Sequence, residues 1–394
     1  MSPPRLAVVT THPVQYYAPL FRRLAERGRV DPHVFYGWAG PTATGAIDPG
    51  FGAAVAWDVP LLDGYAHAFA ETASREEGTH RFGGIDAPGL VPAIRAWQPD
   101  AVLVVGWGWR AHVRVLRAFA GRVPVLFRGD STLLDETGGL RAVLRRGVLR
   151  WVYRHVDHAL YVGQHNRDYF RAHGLAEHQL SWAPHAVDNA RFAAPGDDPD
   201  SDARRWRETL GIGPADPVVL FAGKLEAQKA PDVLLQAFLM LPDARQAHLV
   251  FCGTGPLEAS LREAAGGDRR VHFVGFQNQS RMPVVYRLGT VLVLPSYSET
   301  WGLAVNEAMA SGRAVIVSDR VGCAPDLVRP ETGRVVPAGD AGALAAAIAD
   351  VVAPGRAEAL GAAARTAIDA WTLDEAAARI ETAALAATAD TRLA

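Results

Sequence analysis

Cysteine is almost missing from this sequence: its 394 residues include two, Cys252 and Cys323, with no CxxC pair and no Cys/His cluster. Neither a disulfide framework nor a structural zinc site is indicated, and a cytoplasmic setting fits best. No stretch approaches the roughly 18 to 20 apolar residues of a membrane span. The first residues, Met1-Ser-Pro-Pro-Arg5, lead straight into Leu6–Thr10 without the apolar core or small-residue cleavage site of a signal peptide. An excess of one charge is missing too: 40 Lys and Arg stand against 42 Asp and Glu, a formal net charge of −2. No strong basic field is therefore available for nucleic acid. The three-glycine dinucleotide fingerprint does not follow the first strand pattern, which disfavours a Rossmann dehydrogenase. No Asp-x-Asp metal motif stands after a strand.

What is present is ordinary globular material, 49% apolar and 21% charged, and long enough for two separate cores. Short apolar runs such as Leu6–Thr10, Ala101–Val105, Val123–Phe127, Ala159–Gly163, Pro217–Gly223 and Val291–Leu294 alternate with helical patterns. The stretch 193–216 is Pro- and Asp-rich and reads as a linker, after which the alternation restarts. The expected fold class is α/β, two doubly wound Rossmann-like domains facing across a cleft, 1–192 and 217–370.

The densest chemistry lies in Leu294–Asp319, read as strand, loop, helix and strand. Ser298, Glu299 and Thr300 are cap-type residues before a helix that starts near Leu303, and Gly312 suits its left-handed end. Glu299 lies where the free N–H groups of a first helical turn favour an anion, and Glu307 sits about a turn inside. With a phosphate at the N-terminus formed by Trp301, Gly302 and Leu303, Glu307 can reach a diol attached to it and Glu299 can reach sugar hydroxyls. Each carboxylate taken alone also reads as a dipole-complementing or solvated Glu.

Lys224 and Lys229 follow the strand that ends at Gly223, and two lysines at such a turn can clamp a diphosphate; a solvated pair is the alternative. In the N-terminal half, His12 and Gln15 lie in the first strand-to-helix turn, Trp107 with Trp109 and Arg110 after Ala101–Val105, and Arg128 and Asp130 at the tip of Val123–Phe127. All are candidate sugar or acceptor contacts, with packing tyrosines, core tryptophans and an Asx-type turn as the competing readings. The irregular stretch 38–92 is either an acceptor-side loop or a connection. Residues 140–155 form a basic amphipathic helix, with Leu140, Val143, Leu144, Val148 and Trp151 on one side and five arginines around the other. Its apolar stripe either covers the sheet or meets an anionic membrane surface.

Glu299, seven residues, Glu307 and then Ala-Met-Ala-Ser-Gly resemble the signature of family 4 of the retaining nucleotide-sugar glycosyltransferases, which have the GT-B fold. The likeness is sharpest from about 221 to 336. It departs in having Lys224 where Arg is usual, Ala230 for Gly, His185 for Asn, and Arg128 or Asp130 where many members carry a His. The resemblance implies transfer of a sugar from a nucleoside diphosphate to a hydroxyl acceptor with retention, Glu299, Lys224 and Lys229 acting at the reacting centre. It further implies donor binding by Gly223, Thr300, Trp301, Gly302, Leu303 and Glu307, and a nucleobase held near Phe276. Residues 371–394 should cross back as a helix onto the first domain. No cofactor or metal is expected beyond the donor substrate, and no nucleic-acid partner. A nucleotide-sugar 2-epimerase or a non-catalytic sugar-nucleotide binder are the alternatives the same fold allows.

Overall fold

The computed structural model describes residues 2–40, 47–48, 53–54, 56–136, 138–193, 199–241 and 246–393. It divides into two units, one of residues 1–46, 60–185 and 373–394, the other of 47–59 and 186–372.

The first unit is built on seven strands: β1 (Arg5–Thr10), β2 (Asp31–Tyr36), β3 (Ala66–Phe69), β4 (Ala101–Val105), β5 (Val125–Gly129), β6 (His158–Tyr161) and β7 (Leu180–Trp182). They lie in the order β3-β2-β1-β4-β5-β6-β7, every pairing parallel. Runs such as Ala-Val-Leu-Val-Val in β4 are buried throughout, because helices cover both faces of such a sheet and leave no side for polar residues. The second unit has β8 (Val218–Ala222), β9 (His248–Cys252), β10 (Val271–Gly275), β11 (Val291–Leu294), β12 (Ala314–Ser318) and β13 (Gly333–Val336), in the parallel order β10-β9-β8-β11-β12-β13. Its core joins Val219, Phe221, Leu249, Phe251, Val291 and Ile316 to helix residues such as Leu234, Phe238 and Ile348.

In each sheet the chain builds outward on one side, then crosses and builds on the other. The reversal falls between β1 and β4 in the first unit and between β8 and β11 in the second. Loops at the carboxyl ends of such strands diverge and open a crevice, which is where open α/β sheets bind ligands. Lys224, Lys229, Glu299 and Glu307 follow the second pair, while His12, Gln15 and Trp107 follow the first.

The boundary differs from the sequence expectation. It falls between His185 and Ala186, and the stretch read as a linker is packed into the second unit. Val187 bridges to Thr372, and the Asn189 side chain donates to the carbonyls of Ile368 and Trp371 at 3.1 and 3.3 Å. Of 193–216, residues 194–198 lie outside the described residues. The helix Pro199–Thr209 buries Ala203 against Val284 and Leu288, and its acidic start pairs Asp200 with Arg287 and Asp202 with Arg281. Polar composition suggested an open connection; those aspartates instead answer buried and surface arginines. The helix Leu373–Leu393 belongs to the first unit, where Arg23 and Arg27 of the helix Ala18–Arg27 pair with Asp374 and with the buried Glu381.

Candidate active site

Three loops of the second unit meet around Glu299. On the β8 side, Gly223 donates its N–H to the Cys252 carbonyl at 3.0 Å. The chain then makes one tight turn over Ala227–Lys229 and enters the helix Pro231–Leu239 through Ala230. Ala230 has φ 51° and ψ 46°, a left-handed conformation that costs a Cβ-bearing residue about 1 kcal/mol. The loop after β11 is laced to this turn: Tyr297 N–H donates to the Gln228 carbonyl at 2.8 Å, and the Gln228 amide donates to the Ser298 carbonyl at 3.0 Å. Between them the Lys229 ammonium donates to Oε2 of Glu299, the two side chains being 20% and 16% exposed.

The loop after β12 supports the Glu299 backbone from another side. Gly322 N–H donates to the Glu299 carbonyl at 2.9 Å and Cys323 N–H to the Trp301 carbonyl at 3.0 Å. A Cβ on Gly322 would stand 1.9 Å from the Thr300 carbonyl oxygen, so only glycine permits this approach. Gly302, at φ 97°, turns the chain into the helix Leu303–Ala310. The first-turn N–H groups of that helix, with its positive dipole end, form the anion-favouring position beside Thr300. Trp301 contributes only backbone here. Its indole is buried, donates to Asn306 Oδ1 at 2.9 Å and lies 5.2 Å from the Trp371 ring.

Glu307 is the most unusual carboxylate of the unit. It is 3% exposed; Oε2 accepts a 2.6 Å hydrogen bond from the Tyr286 hydroxyl, while Oε1 is buried without a hydrogen-bond partner. Burial pushes its pKa up to about 7, although the Tyr286 hydrogen bond and the Arg191 charge pull it down. An orphaned buried acceptor of this kind calls for a donor that the protein does not supply. The folded chain therefore holds a proton that the unfolded chain releases between pH 4.5 and about 7, and stability contributed by the neutral carboxyl falls as pH rises through that window. Glu307→Gln, isosteric and never charged, is expected to melt at a higher temperature than the parent at pH 8, by the equivalent of roughly 1 to 3 kcal/mol. The gain should shrink toward zero near pH 4.5. Calorimetric melting at several pH values checks this; a pH-independent difference would contradict it.

Tyr286 and Arg191 were not singled out from sequence. Tyr286 lies in the short helix Met282–Leu288 before β11, and Arg191 in the turn of helix Asn189–Ala193, where its guanidinium donates to Gln279 Oε1 at 2.9 Å. Nothing in their local patterns marks them; only packing brings both to Glu307. Phe276, after β10, is half-buried 6.3 Å from the Trp57 ring, and Asp58 beside it accepts from Ser280.

The first-unit candidates fare unequally. Arg128 is 1% exposed and donates to the carbonyls of Ala183 and Pro184, both at 2.8 Å. It ties β5 to the chain leaving the unit, a structural role that the strand-tip position did not suggest. The burial of His185 itself, and after it the Arg128 charge, holds that imidazole down at about pKa 3. Trp107 and Trp109 pack at the edge of the core, Trp109 donating to the Thr79 carbonyl. His12 is half-buried, with Nδ1 3.0 Å from Thr11 Oγ1 and its ring 5.4 Å from Trp38. Gln15 and Asp130 are half-buried at the same carboxyl ends. On the helix Leu140–Tyr153 four of the five stripe residues do not cover the sheet, while Trp151 packs against the core. Leu140, Val143, Leu144 and Val148 are 75, 64, 62 and 52% exposed, and the buried residues are Leu149, Val152 and Tyr153. Among the described residues no helix is long and apolar enough to cross a membrane, and no three His, Cys, Asp or Glu side chains group as a metal site.

Residues 202–367 match the family model described as Glycosyl transferases group 1. A D-inositol 3-phosphate glycosyltransferase of Catenulispora acidiphila is 33% identical over 195 residues, 46% of this chain and 44% of that protein. The Nocardia farcinica protein of the same name is 32% identical over 181 residues, 43% and 39% of the two chains. The chain thus spans less than half the length of the curated relatives it matches. Two solved structures are similar over nearly the whole length. Sucrose-phosphate synthase of Thermosynechococcus elongatus gives a TM-score of 0.73 at 22% identity over 98% of this chain and 100% of that one. The Anabaena protein HepE, solved with UDP and glucose, gives 0.69 at 16% identity over 96% and 99%. At such identities the likeness is one of fold, the two-unit GT-B arrangement of parallel sheets.

Proposed function

We propose that this chain, whose residues 202–367 belong to the group 1 glycosyl transferases, moves a sugar from a nucleoside diphosphate to a hydroxyl acceptor with retention at the anomeric carbon. One observation carries the reading: Lys229 and Glu299 are joined at the N-terminus of the very helix that holds the orphaned Glu307, on the two strands where the sheet reverses. The diphosphate takes Lys229, Lys224 and the first turn at Gly302–Leu303; the ribose diol takes Glu307; the sugar hydroxyls take Glu299 once Lys229 has turned to phosphate. The glycosidic C–O bond to the diphosphate breaks while the acceptor oxygen forms its bond on the same face, and its proton passes to a diphosphate oxygen. The lysines and helix dipole offset the charge growing on the leaving group, without a metal. Glu299 orients the donor and forms no covalent bond to it. Asp130, His12 and Gln15 are the acceptor-side residues of the proposal, and residues 140–155 its contact with an anionic membrane surface.

The test is thermal stabilisation by UDP-, GDP-, ADP- and TDP-sugars without added metal, UDP-glucose first because HepE was solved with it. A ligand at a hundredfold excess over its Kd stabilises by about 2.7 kcal/mol. One nucleotide should raise the melting temperature, and Glu307→Ala should abolish the shift. No shift with any of the four would overturn the donor site.

A further inference from the structure

The exposure of the helix Leu140–Tyr153 is graded along its length. It connects β5 to β6, neighbours in a parallel sheet, so it begins at the carboxyl end of the strands and runs back toward their amino ends. Its last turn is buried, and its first two turns, carrying Leu140, Val143 and Leu144, are open. The open end thus lies at the end of the sheet where Asp130 emerges from β5, ten residues before Leu140. Arg141, Arg145, Arg146 and Arg150 are exposed around the stripe, and no acidic residue occurs between Leu140 and Arg154. Ahead of the helix the described residues are anchored: the Glu136 carboxylate faces His173 at 3.2 Å and Arg146 at 3.6 Å, and Asn166 donates to the Ser131 carbonyl at 2.8 Å.

Four large apolar side chains in water at i, i+3, i+4 and i+8, ringed by arginines, match one surface well: an anionic bilayer, which accepts the apolar groups below its headgroups and the guanidiniums among its phosphates. A soluble acceptor gives no reason to turn that surface toward the ligand end of the sheet. We infer that the acceptor hydroxyl is carried by a membrane-anchored amphiphile, which this helix meets at the bilayer that supplies it. The inference rests on the glycosyl-transfer reading and adds the acceptor's class. The bond made is the sugar C1–oxygen bond to the amphiphile's hydroxyl, the bond broken is C1–oxygen to the diphosphate, and the hydroxyl proton leaves with the diphosphate.

The experiment uses the full chain and vesicles of phosphatidylcholine alone, of phosphatidylcholine with phosphatidylglycerol, and of a bacterial total lipid extract. The protein should sediment with the two anionic preparations, release with added salt, and ignore phosphatidylcholine. With a sugar-labelled donor, label should enter the organic phase from the extract vesicles. Val143→Glu with Leu144→Glu, both at exposed positions, should lower sedimentation and lipid labelling at least about tenfold. Donor-induced thermal stabilisation should be unchanged in that variant, and this readout separates the inference from the donor-site reading. Failure of the parent to sediment with phosphatidylglycerol, or label confined to water-soluble products, would overturn it. Equal lipid labelling by parent and double variant would overturn the role of the helix.

Discussion

Glu299→Gln is expected to lower kcat at least about a hundredfold while the melting temperature and circular dichroism stay those of the parent. The carboxylate sits on a loop held through its backbone, by Arg320 and Gly322 on one side and by the Gln228 bonds on the other, so neutralising the side chain removes charge without releasing the loop. An amide keeps the shape and one acceptor oxygen, and a donor nucleotide should still bind. The discriminating measurement is kcat beside the Kd of the free nucleoside diphosphate. Unchanged kcat would end the role assigned to Glu299; loss of nucleotide binding would mean the loop itself had moved.

Lys229→Ala is expected to be as severe, with a fall in kcat of about a hundredfold to a thousandfold. Two things disappear at once: the cation meant for the diphosphate and the countercharge of a Glu299 that is 16% exposed. Lys229→Arg should recover only part, since a planar fork cannot follow the path of a compact ammonium. The double variant, Lys229→Ala with Glu299→Gln, should fall short of the product of the singles, because both changes remove one ion pair and act on one transition state. Steady-state rates of the four proteins decide it; strict multiplicativity would show that the two residues act separately.

Much of this was legible in the sequence because it depends on short-range signals. The strand, Pro295 stop, glycine turn and helix of 294–319 are fixed by local chemistry, and so is the placement of Lys224, Lys229, Glu299 and Glu307 after neighbouring strands of one sheet, where Lys229 meets Glu299. What could not be read depends on which distant element lands where. Tyr286 precedes its own strand in an apolar helix, and only the packing of that helix shows that its hydroxyl meets Glu307. Arg128 looked like a ligand contact because it ends a strand; its burial against the 183–184 carbonyls depends on a return of the chain 55 residues later. The boundary was misplaced for the same reason, since the Asp-rich start of Pro199–Thr209 is explained by Arg281 and Arg287, far away in sequence. For the helix at 140–153, periodicity found the stripe but not which way it faces.

Ala230 shows what a strained backbone position asks of the loop around it. Its left-handed backbone is the conformation a glycine would hold at ease, and the alanine bears a folded-state penalty of about 1 kcal/mol. Against that, alanine narrows the unfolded ensemble relative to glycine by about 0.4 to 1 kcal/mol. At a positive φ the strain outweighs that gain, so Ala230→Gly is expected to leave stability unchanged or raise it slightly. The loop therefore keeps its shape through its bonds to Tyr297 and Ser298, which hold the backbone in a conformation that the alanine alone would leave.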